Sequence, residues 1–252
     1  MVHRARAGFG RGEHPVTYTF FLILRKTIEK FSPSQVYIVK EGKPQRRHDT
    51  LEGYKANRAS AGDDFWRQHS DISEMLKSMP VKIVRHPFRE CDDTIAHFVN
   101  VVHANEPCTI VSTDSDFIQL LKVDSTRVQL WNPIKDTLIT APNYDYVSWK
   151  SLTGDGSDNI PGFKGIGGKT AEKLLANPQK LNEFLAQDNN LEKFQMNYGL
   201  IQFHTIDEGV EHLHESVNWE SVRNKMTELG FSSIVNDKSW KKFVNTFDCV
   251  KE

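Results

Sequence analysis

An α/β fold followed by a helical segment is what this sequence predicts, and three observations carry the prediction. Over the first 145 residues, short apolar runs bounded by turn residues alternate with stretches of helical period, the pattern of a parallel or mixed sheet wrapped by helices. Beyond about residue 145 the strand-type runs cease, and helical segments separated by turns take over. Charge is divided along the chain as well. Residues 1–58 hold 12 Lys and Arg against 5 Asp and Glu, residues 90–158 hold 4 against 11, and the formal net charge of the whole is only −1. Such a division suits a site where a basic surface holds an anion and a carboxylate nest holds cations.

Taken in order, Phe20, Leu24, Ile28 and Phe31 recur at helical spacing in 16–31, and Ser32-Pro33-Ser34 stops that helix. Residues 36–39 read as a buried strand. Residues 40–60 are polar and basic without a clean period. An amphipathic helix is predicted over about 63–77, Met79-Pro80 ends it, and 81–84 is a second strand. Helix over 92–104, strand over 108–111, a short helix over 116–121 and two closing strands over 128–131 and 137–140 complete the alternating part. Helices over 168–176, 180–187, 190–204, 218–229 and 238–249 make up the remainder.

At 252 residues the chain is long enough to bury a full core. With 26% charged and 38% hydrophobic residues it has the composition of an ordinary soluble protein. Its three cysteines, Cys91, Cys108 and Cys249, form no CxxC pair, which argues against a zinc site or disulfide framework and for a reducing, cytoplasmic setting. The apolar run 20–24 is far too short to span a bilayer, so no membrane association is expected.

The acids concentrate where ligands collect in α/β sheets, after strands and before helices. Glu90, Asp92 and Asp93 follow the second strand, Asp114 and Asp116 follow the third, and Asp155 and Asp158 lie in a Gly/Ser/Asn loop. Each group alone is explained equally well as a helix cap, since carboxylates satisfy free amides at a helix start. Three such groups at equivalent positions, with seven like charges, call instead for cations. Hard oxygen ligands without His or Cys suit two Mg2+ or Mn2+ ions, which together activate water and stabilise a leaving oxygen in phosphodiester cleavage.

Beside the last two acids, Gly162, Gly165, Gly167 and Gly168 form a turn before Lys169-Thr170-Ala171-Glu172. A P-loop would need glycine at position 163, which is Phe163, and a buried strand leading in, which is lacking; that reading fails. Glycine amides at a helix start still suit a phosphate.

These motifs together resemble the flap endonuclease and 5′→3′ exonuclease family. Glu90-Cys91-Asp92-Asp93 is similar to its Glu-Ala-Asp-Asp motif, and Ser112-Thr113-Asp114-Ser115-Asp116 to its Thr-Xaa-Asp-Xaa-Asp motif. Gly154-Asp155-Gly156-Ser157-Asp158-Asn159 resembles Gly-Asp-Xaa-Xaa-Asp-Asn, and Gly165 to Ala171 its helix–three-turn–helix. The resemblance runs from Arg4 to about residue 180. It implies a PIN-like nuclease domain over 1–145 with a helical arch at about 50–80. A helical domain over 146–252 would follow, with the DNA-binding motif at about 158–178. Glu90, Asp92, Asp114 and Asp116 would ligate the two metals, Asp93 would bridge or sit behind them, and Asp155 and Asp158 would complete the second site. Tyr54-Lys55-Ala56-Asn57-Arg58 resembles the motif at the base of the arch. Lys55 and Arg58 would stabilise charge on the scissile phosphate, with Tyr54 in the DNA-binding surface. Arg46 and Arg47 are weaker candidates for backbone contact, and Phe65 and Trp66 either stack on bases or pack within the arch. Gly165, Gly167, Gly168, Lys169 and Thr170 would grip duplex DNA, with K+ held by loop carbonyls.

The family begins with a strand ending in an Asp ligand, and His3-Arg4-Ala5 looks like the region just after it. Residues 1–7 are therefore read as the start of a helix rather than a transit peptide, with the strand and its Asp expected upstream of Met1. Glu41, after the 36–39 strand, stands where the family has another Asp. The expected activity is a metal-dependent nuclease on DNA with 5′ ends or flaps, extending to RNA–DNA hybrids, acting as a monomer in a bacterial or phage-infected cytoplasm. The alternatives are a DNA-junction binding protein of weak catalysis and a PIN-type ribonuclease. The ribonuclease is disfavoured, because the glycine turn and the Asp155/Asp158 pair exceed what that simpler domain uses.

Overall fold

A computed structural model describes residues 13–59, 61–206 and 209–251. In chain order its elements are α1 (Pro15–Phe31), β1 (Tyr37–Lys40), α2 (Gln45–Thr50), α3 (Asp63–Lys77), β2 (Lys82–Arg85) and α4 (Cys91–His97). A π-helical turn (Phe98–Val102), β3 (Cys108–Val111), a 3-10 helix (Ser115–Leu120), β4 (Val128–Asn132) and β5 (Thr137–Ile139) follow. Then come α5 (Tyr146–Thr153), β6 (Gly154–Asp155), β7 (Ile160–Pro161), α6 (Gly168–Leu175), α7 (Pro178–Leu185) and α8 (Asn190–Ile201). The chain closes with β8 (Glu211–His212), α9 (Trp219–Glu228), α10 (Ser232–Val235) and α11 (Asp237–Asn245). No helix among the described residues is long and apolar enough to cross a membrane. Arg4 lies outside the described residues.

Two compact units divide the chain. The described residues of 1–42, 60–87 and 208–252 form the first, and those of 43–59 and 88–207 the second. In the first, β1 and β2 pair in parallel from Tyr37↔Lys82 to Lys40↔Arg85, and β8 adds an antiparallel edge through Val84↔His212 and Arg85↔Glu211. The apolar faces of α1 (Phe20, Phe21, Leu24, Ile28) and α3 (Ile72, Met75, Leu76) share one core with Val222 and Met226 of α9 and Phe243 of α11. Residues 209–251 thus pack with the first described helix. The start of α1 has no side-chain cap of its own. Fully buried Gln68 of α3 supplies one from a distance, its Oε1 accepting from the amides of Val16 (2.9 Å) and Thr17 (3.2 Å).

In the second unit β3 and β4 pair in parallel, from Cys108↔Val128 to Val111↔Trp131, and β5 returns antiparallel on β4. One apolar cluster gathers around Ile110, Phe117 and Leu130, a second around Tyr54, Val147 and Leu200, and a third around Leu152, Phe163 and Ala171.

The helix expected over 63–77 and the strand over 108–111 occupy those residues. Three differences have physical causes. The helix expected over 92–104 is α-helical only to His97 and then widens, and Arg127 Nη1 donates to the loosened carbonyls of Val99 (3.0 Å) and His103 (3.1 Å). The helix expected to reach residue 204 stops at Ile201, because Gln202 turns to an extended conformation (ψ 138°) and buried Arg47 takes the carbonyls of Leu200 and Gln202. Helix α5 escaped a periodicity reading because polar Lys150 and Ser151 sit on its buried side; Asp145 caps it, accepting from Ser148 N at 2.7 Å.

Candidate active site

A cavity of about 470 Å³ opens in the second unit, and Glu90, Asp92, Asp114, Asp116, Asp155 and Asp158 line it. Each acid is placed by a local device. Glu90 occupies the N-cap position of α4, and Asp92 and Asp93 its first turn. Asp114 caps the 3-10 helix, accepting from the amide of Asp116 at 2.9 Å, so the capping explanation holds for one of its oxygens. Asp155 and Asp158 hang from the β6–β7 hairpin, which forms because Gly154 adopts φ +80° with Gly162 N where its Cβ would be, 2.3 Å away. Glu41 follows β1 in the first unit, as an exposed residue.

Arg47 differs from expectation, and Asp93 takes the rear of its two expected places. Arg47 is 4% exposed, and its Nη1 and Nη2 fork onto Asp93 at 2.7 and 2.9 Å. Nη1 also donates to Glu90 Oε2 (2.8 Å), Nε to Leu200 O (2.9 Å) and Nη2 to Gln202 O (3.2 Å). A guanidinium has five N–H donors, and these five bonds use them all. Arg47 is therefore an internal strut, with no donor left for a DNA backbone. Burial opposes its charge, but Asp93 and Glu90 outweigh that and hold it far above the ordinary range. Asp93 Oδ1 additionally accepts from the amide of His204 (2.8 Å), so this acid, 1% exposed, is spent on the strut and is absent from the cavity lining.

Tyr54 also turns inward. At 3% exposure its hydroxyl donates toward Glu90 (3.2 Å) and Asp158 (3.2 Å), and burial together with those two anions drives the phenol far above its usual range. A buried phenol bonded to two acids is not a DNA-facing surface. Lys55 stands beside it in the left-handed region (φ +57°), its amide donating to Asp158 O at 3.1 Å. Its ammonium pairs with Glu90 and lies 3.9 Å from Asp158, and Arg58 Nη2 reaches Asp158 Oδ1 at 2.5 Å. Asn159 Nδ2 donates to Gly53 O (2.9 Å), and Asn57 Nδ2 to Asn159 Oδ1 (3.1 Å). The Tyr54–Arg58 and Asp155–Asn159 motifs, about a hundred residues apart, are thus bolted to each other.

Lys150 was not legible from the sequence. Its ammonium pairs with Asp116 and sits 2.6 Å from Asp155 Oδ2. Burial works against its charge, but the two carboxylates prevail and hold it above the usual lysine range. Burial pushes Asp116 up against the pull of Lys150. Burial also opposes ionisation of Asp155, which Lys150 and Ser157 nevertheless hold below the usual carboxylate range. Among the described residues, no three His, Cys, Asp or Glu side chains converge closely enough to clasp one ion as they stand. Like carboxylates in one cavity repel unless cations stand between them, and here Lys55, Arg58 and Lys150 do so. The donor set still fits hard divalent ions: six carboxylates around one cavity, with cationic side chains paired to four of them.

The glycine turn is exposed at Gly165, Gly167, Lys169 and Thr170, with Gly165 at φ +79°; Gly168, half-buried, accepts at its carbonyl from Trp149 Nε1 (3.2 Å). Phe163 and Ala171 anchor it from below. Arg46 is exposed on α2. In the first unit, Phe65 is buried in the core and Trp66 is half exposed.

Comparison with known proteins identifies the family. Residues 7–148 match the family model of the 5′-3′ exonuclease N-terminal resolvase-like domain, and residues 141–206 that of the 5′-3′ exonuclease C-terminal SAM fold. The chain belongs to the 5′-3′ exonuclease family. A 5′-3′ exonuclease of Mycoplasmopsis pulmonis is 31% identical over 212 residues, covering 77% of this chain and 70% of that one. The thermostable DNA polymerase I of Thermus aquaticus is 33% identical over 176 residues, covering 66% of this chain but 21% of its own length. The chain thus spans about a fifth of the polymerase relatives it matches. Among solved structures, the 5′-exonuclease of bacteriophage T5 with bound zinc superposes with a TM-score of 0.61 at 18% identity, covering 98% and 94% of the two chains. The catalytic core of Rad2 in complex with DNA substrate gives 0.58 at 15%, covering 93% and 85%. At these identities the likeness is one of fold. Family membership accords with the α/β-plus-helical architecture.

Proposed function

We propose that this 5′-3′ exonuclease family member is a divalent-metal-dependent nuclease acting on DNA with 5′ ends or flaps, and on RNA–DNA hybrids at primers. The observation that carries the reading is the gathering of six carboxylates from three separate loops around one cavity, with Arg58 on its wall and Lys55 paired to Glu90 beside it. The names of its neighbours support it: a T5 flap endonuclease seen with DNA and metal ions, and Rad2 with DNA substrate.

Glu90, Asp92, Asp114 and Asp116 would hold two Mg2+ or Mn2+ ions, with Asp155 and Asp158 completing the set. Bound there, the ions would supply Lewis acidity toward an attacking water and the departing oxygen. Lys55 and Arg58 place fixed positive charge where the phosphate gains negative charge. Arg47 and Asp93 hold Glu90 in place from behind. The turn through Gly165, Gly167 and Gly168, with Lys169 and Thr170, would hold duplex backbone, K+ being a candidate ion for its carbonyls. Glu41 and Arg46 remain candidates for metal and DNA contact respectively, and Trp66 for base stacking. A nuclease domain over 1–145 with an arch at about 50–80, a helical domain over 146–252, a monomeric state and a cytoplasmic setting belong to the same proposal.

The second reading is a DNA-junction binding protein of weak catalysis, favoured by one observation: the chain's own cations already pair with Glu90, Asp116, Asp155 and Asp158. Cleavage of a 5′-flap DNA in Mg2+, lost in Asp92→Asn, decides for the nuclease; binding without cleavage decides for the second reading.

A further inference from the structure

We propose that Lys150 is a built-in counter-ion that holds the place of a divalent cation between Asp116 and Asp155, so that cations enter there by exchange with its ammonium group. The inference rests on the reading of the cavity as a divalent-metal centre and adds to it a residue that no motif marks.

One ammonium bridges two carboxylates brought from different loops, donating to Asp116 Oδ1 and standing 2.6 Å from Asp155 Oδ2. Its side chain is 10% exposed and rises from α5 among the buried residues Tyr146, Val147 and Leu152, where an apolar residue would continue the packing face. A lysine there serves the acids rather than the core. Both acids are aimed at it by other bonds. Asp155 Oδ1 is taken by the amide (2.8 Å) and hydroxyl (2.7 Å) of Ser157, leaving Oδ2 for the cavity. Asp116 is fixed at its amide by the Asp114 cap.

Two of the counter-ions in the nest, Arg47 and Lys150, differ in kind. Arg47 is locked by five bonds and cannot leave. Lys150 carries a single point charge on a flexible four-carbon stem and can swing away without unmaking a helix or strand. An ammonium and a divalent ion cannot both lie between the same two oxygens, since they compete for the same lone pairs and like charges at such range repel. The consequence has a counterintuitive sign. Removing this lysine should tighten cation binding, while destabilising the cation-free protein by leaving two part-buried carboxylates face to face.

The test is Mn2+ binding to the full chain without DNA, followed by electron paramagnetic resonance, together with melting temperatures with and without Mn2+. Lys150→Met and Lys150→Gln are expected to bind Mn2+ about ten-fold more tightly than wild type, to melt lower without it, and to gain more from its addition. Folded variants that bind Mn2+ equally or more weakly, or whose melting deficit Mn2+ leaves unchanged, would overturn the exchange and make Lys150 a structural residue. If a variant folds only when Mn2+ is present, the exchange is supported; if neither variant folds even then, it is overturned. Asp155→Asn separates the two levels. A wild-type chain that binds no Mn2+, or binds it as Asp155→Asn does, defeats the metal-centre reading itself. Mn2+ binding lost in Asp155→Asn but not strengthened in the Lys150 variants defeats only the exchange.

Discussion

Each unit buries polar side chains that tie down the backbone of another segment, and only the second, built around chemistry, adds a charged one to a neutral amide such as Asn197. In the first unit Gln68, neutral, satisfies two amides of α1 within an otherwise apolar core. In the second the charged side chain is Arg47, satisfying two carbonyls after α8 and two carboxylates at α4. A neutral amide closes unsatisfied groups at modest cost. A buried guanidinium is tolerated only where acids are held together beside it.

The comparison can be broken most forcefully by removing residues 209–252. That strips β8 from β2 and α9–α11 from α1 and α3, exposing Phe20, Phe21, Leu24 and Met75. The loss should exceed the about 5–15 kcal/mol by which a whole domain is stable, so the truncated chain should lack a cooperative melt in circular dichroism. A melt unchanged from the full chain would show that the first unit does not depend on its last segment.

Arg47→Met should cost about 3–5 kcal/mol in urea unfolding, because it strands Asp93 as a buried acid without a counter-ion and leaves Glu90 with Lys55 alone. The double change Arg47→Met with Asp93→Leu should recover a large part of that. If the single change is harmless, the strut is not one. By the same measurement Gln68→Leu should cost less, about 1–3 kcal/mol, since only neutral donors lose their acceptor. Equal costs for Arg47→Met and Gln68→Leu would erase the contrast between the units.

The smallest effect is a pH dependence at His204. Burial is the main cause of its lowered pKa; Arg47 and Arg46 add to it, and Asp93 opposes. A histidine depressed in the folded state contributes stability above its unfolded value of about 6.5, and that contribution is lost as pH falls through the folded value. His204→Gln should therefore flatten the decline in melting temperature between neutral pH and mildly acidic pH. A decline of the same steepness would place the sensitivity elsewhere.

Much of this was legible in order along the chain. Periodicity located most helices and strands, because an apolar face must recur at the period of its element. The acids were legible because they cluster at strand-to-helix junctions, and the glycine turn because Gly165 must take a positive φ. Arg47 and Tyr54 were expected at a DNA surface and face acids instead, while Asp93 takes the rear of its two expected places. A motif shows which residue types travel together, and not whether a side chain faces solvent or an acid. Lys150 gave no signal, because a lysine on the buried side of a short helix breaks the apolar pattern instead of making one.

What the sequence determined by itself is the local part: element types, the α/β-then-helical plan, and the inventory of acids that a cation-binding site requires. What only tertiary structure decided is which charges meet. Arg58 meets Asp158, Arg85 meets Glu211, and the closing helices meet the first described one. The physical reason is range. Hydrophobic period and capping act over one or two turns of chain, whereas ion pairing depends on distances between segments a hundred or more residues apart, which are set only when the cores close.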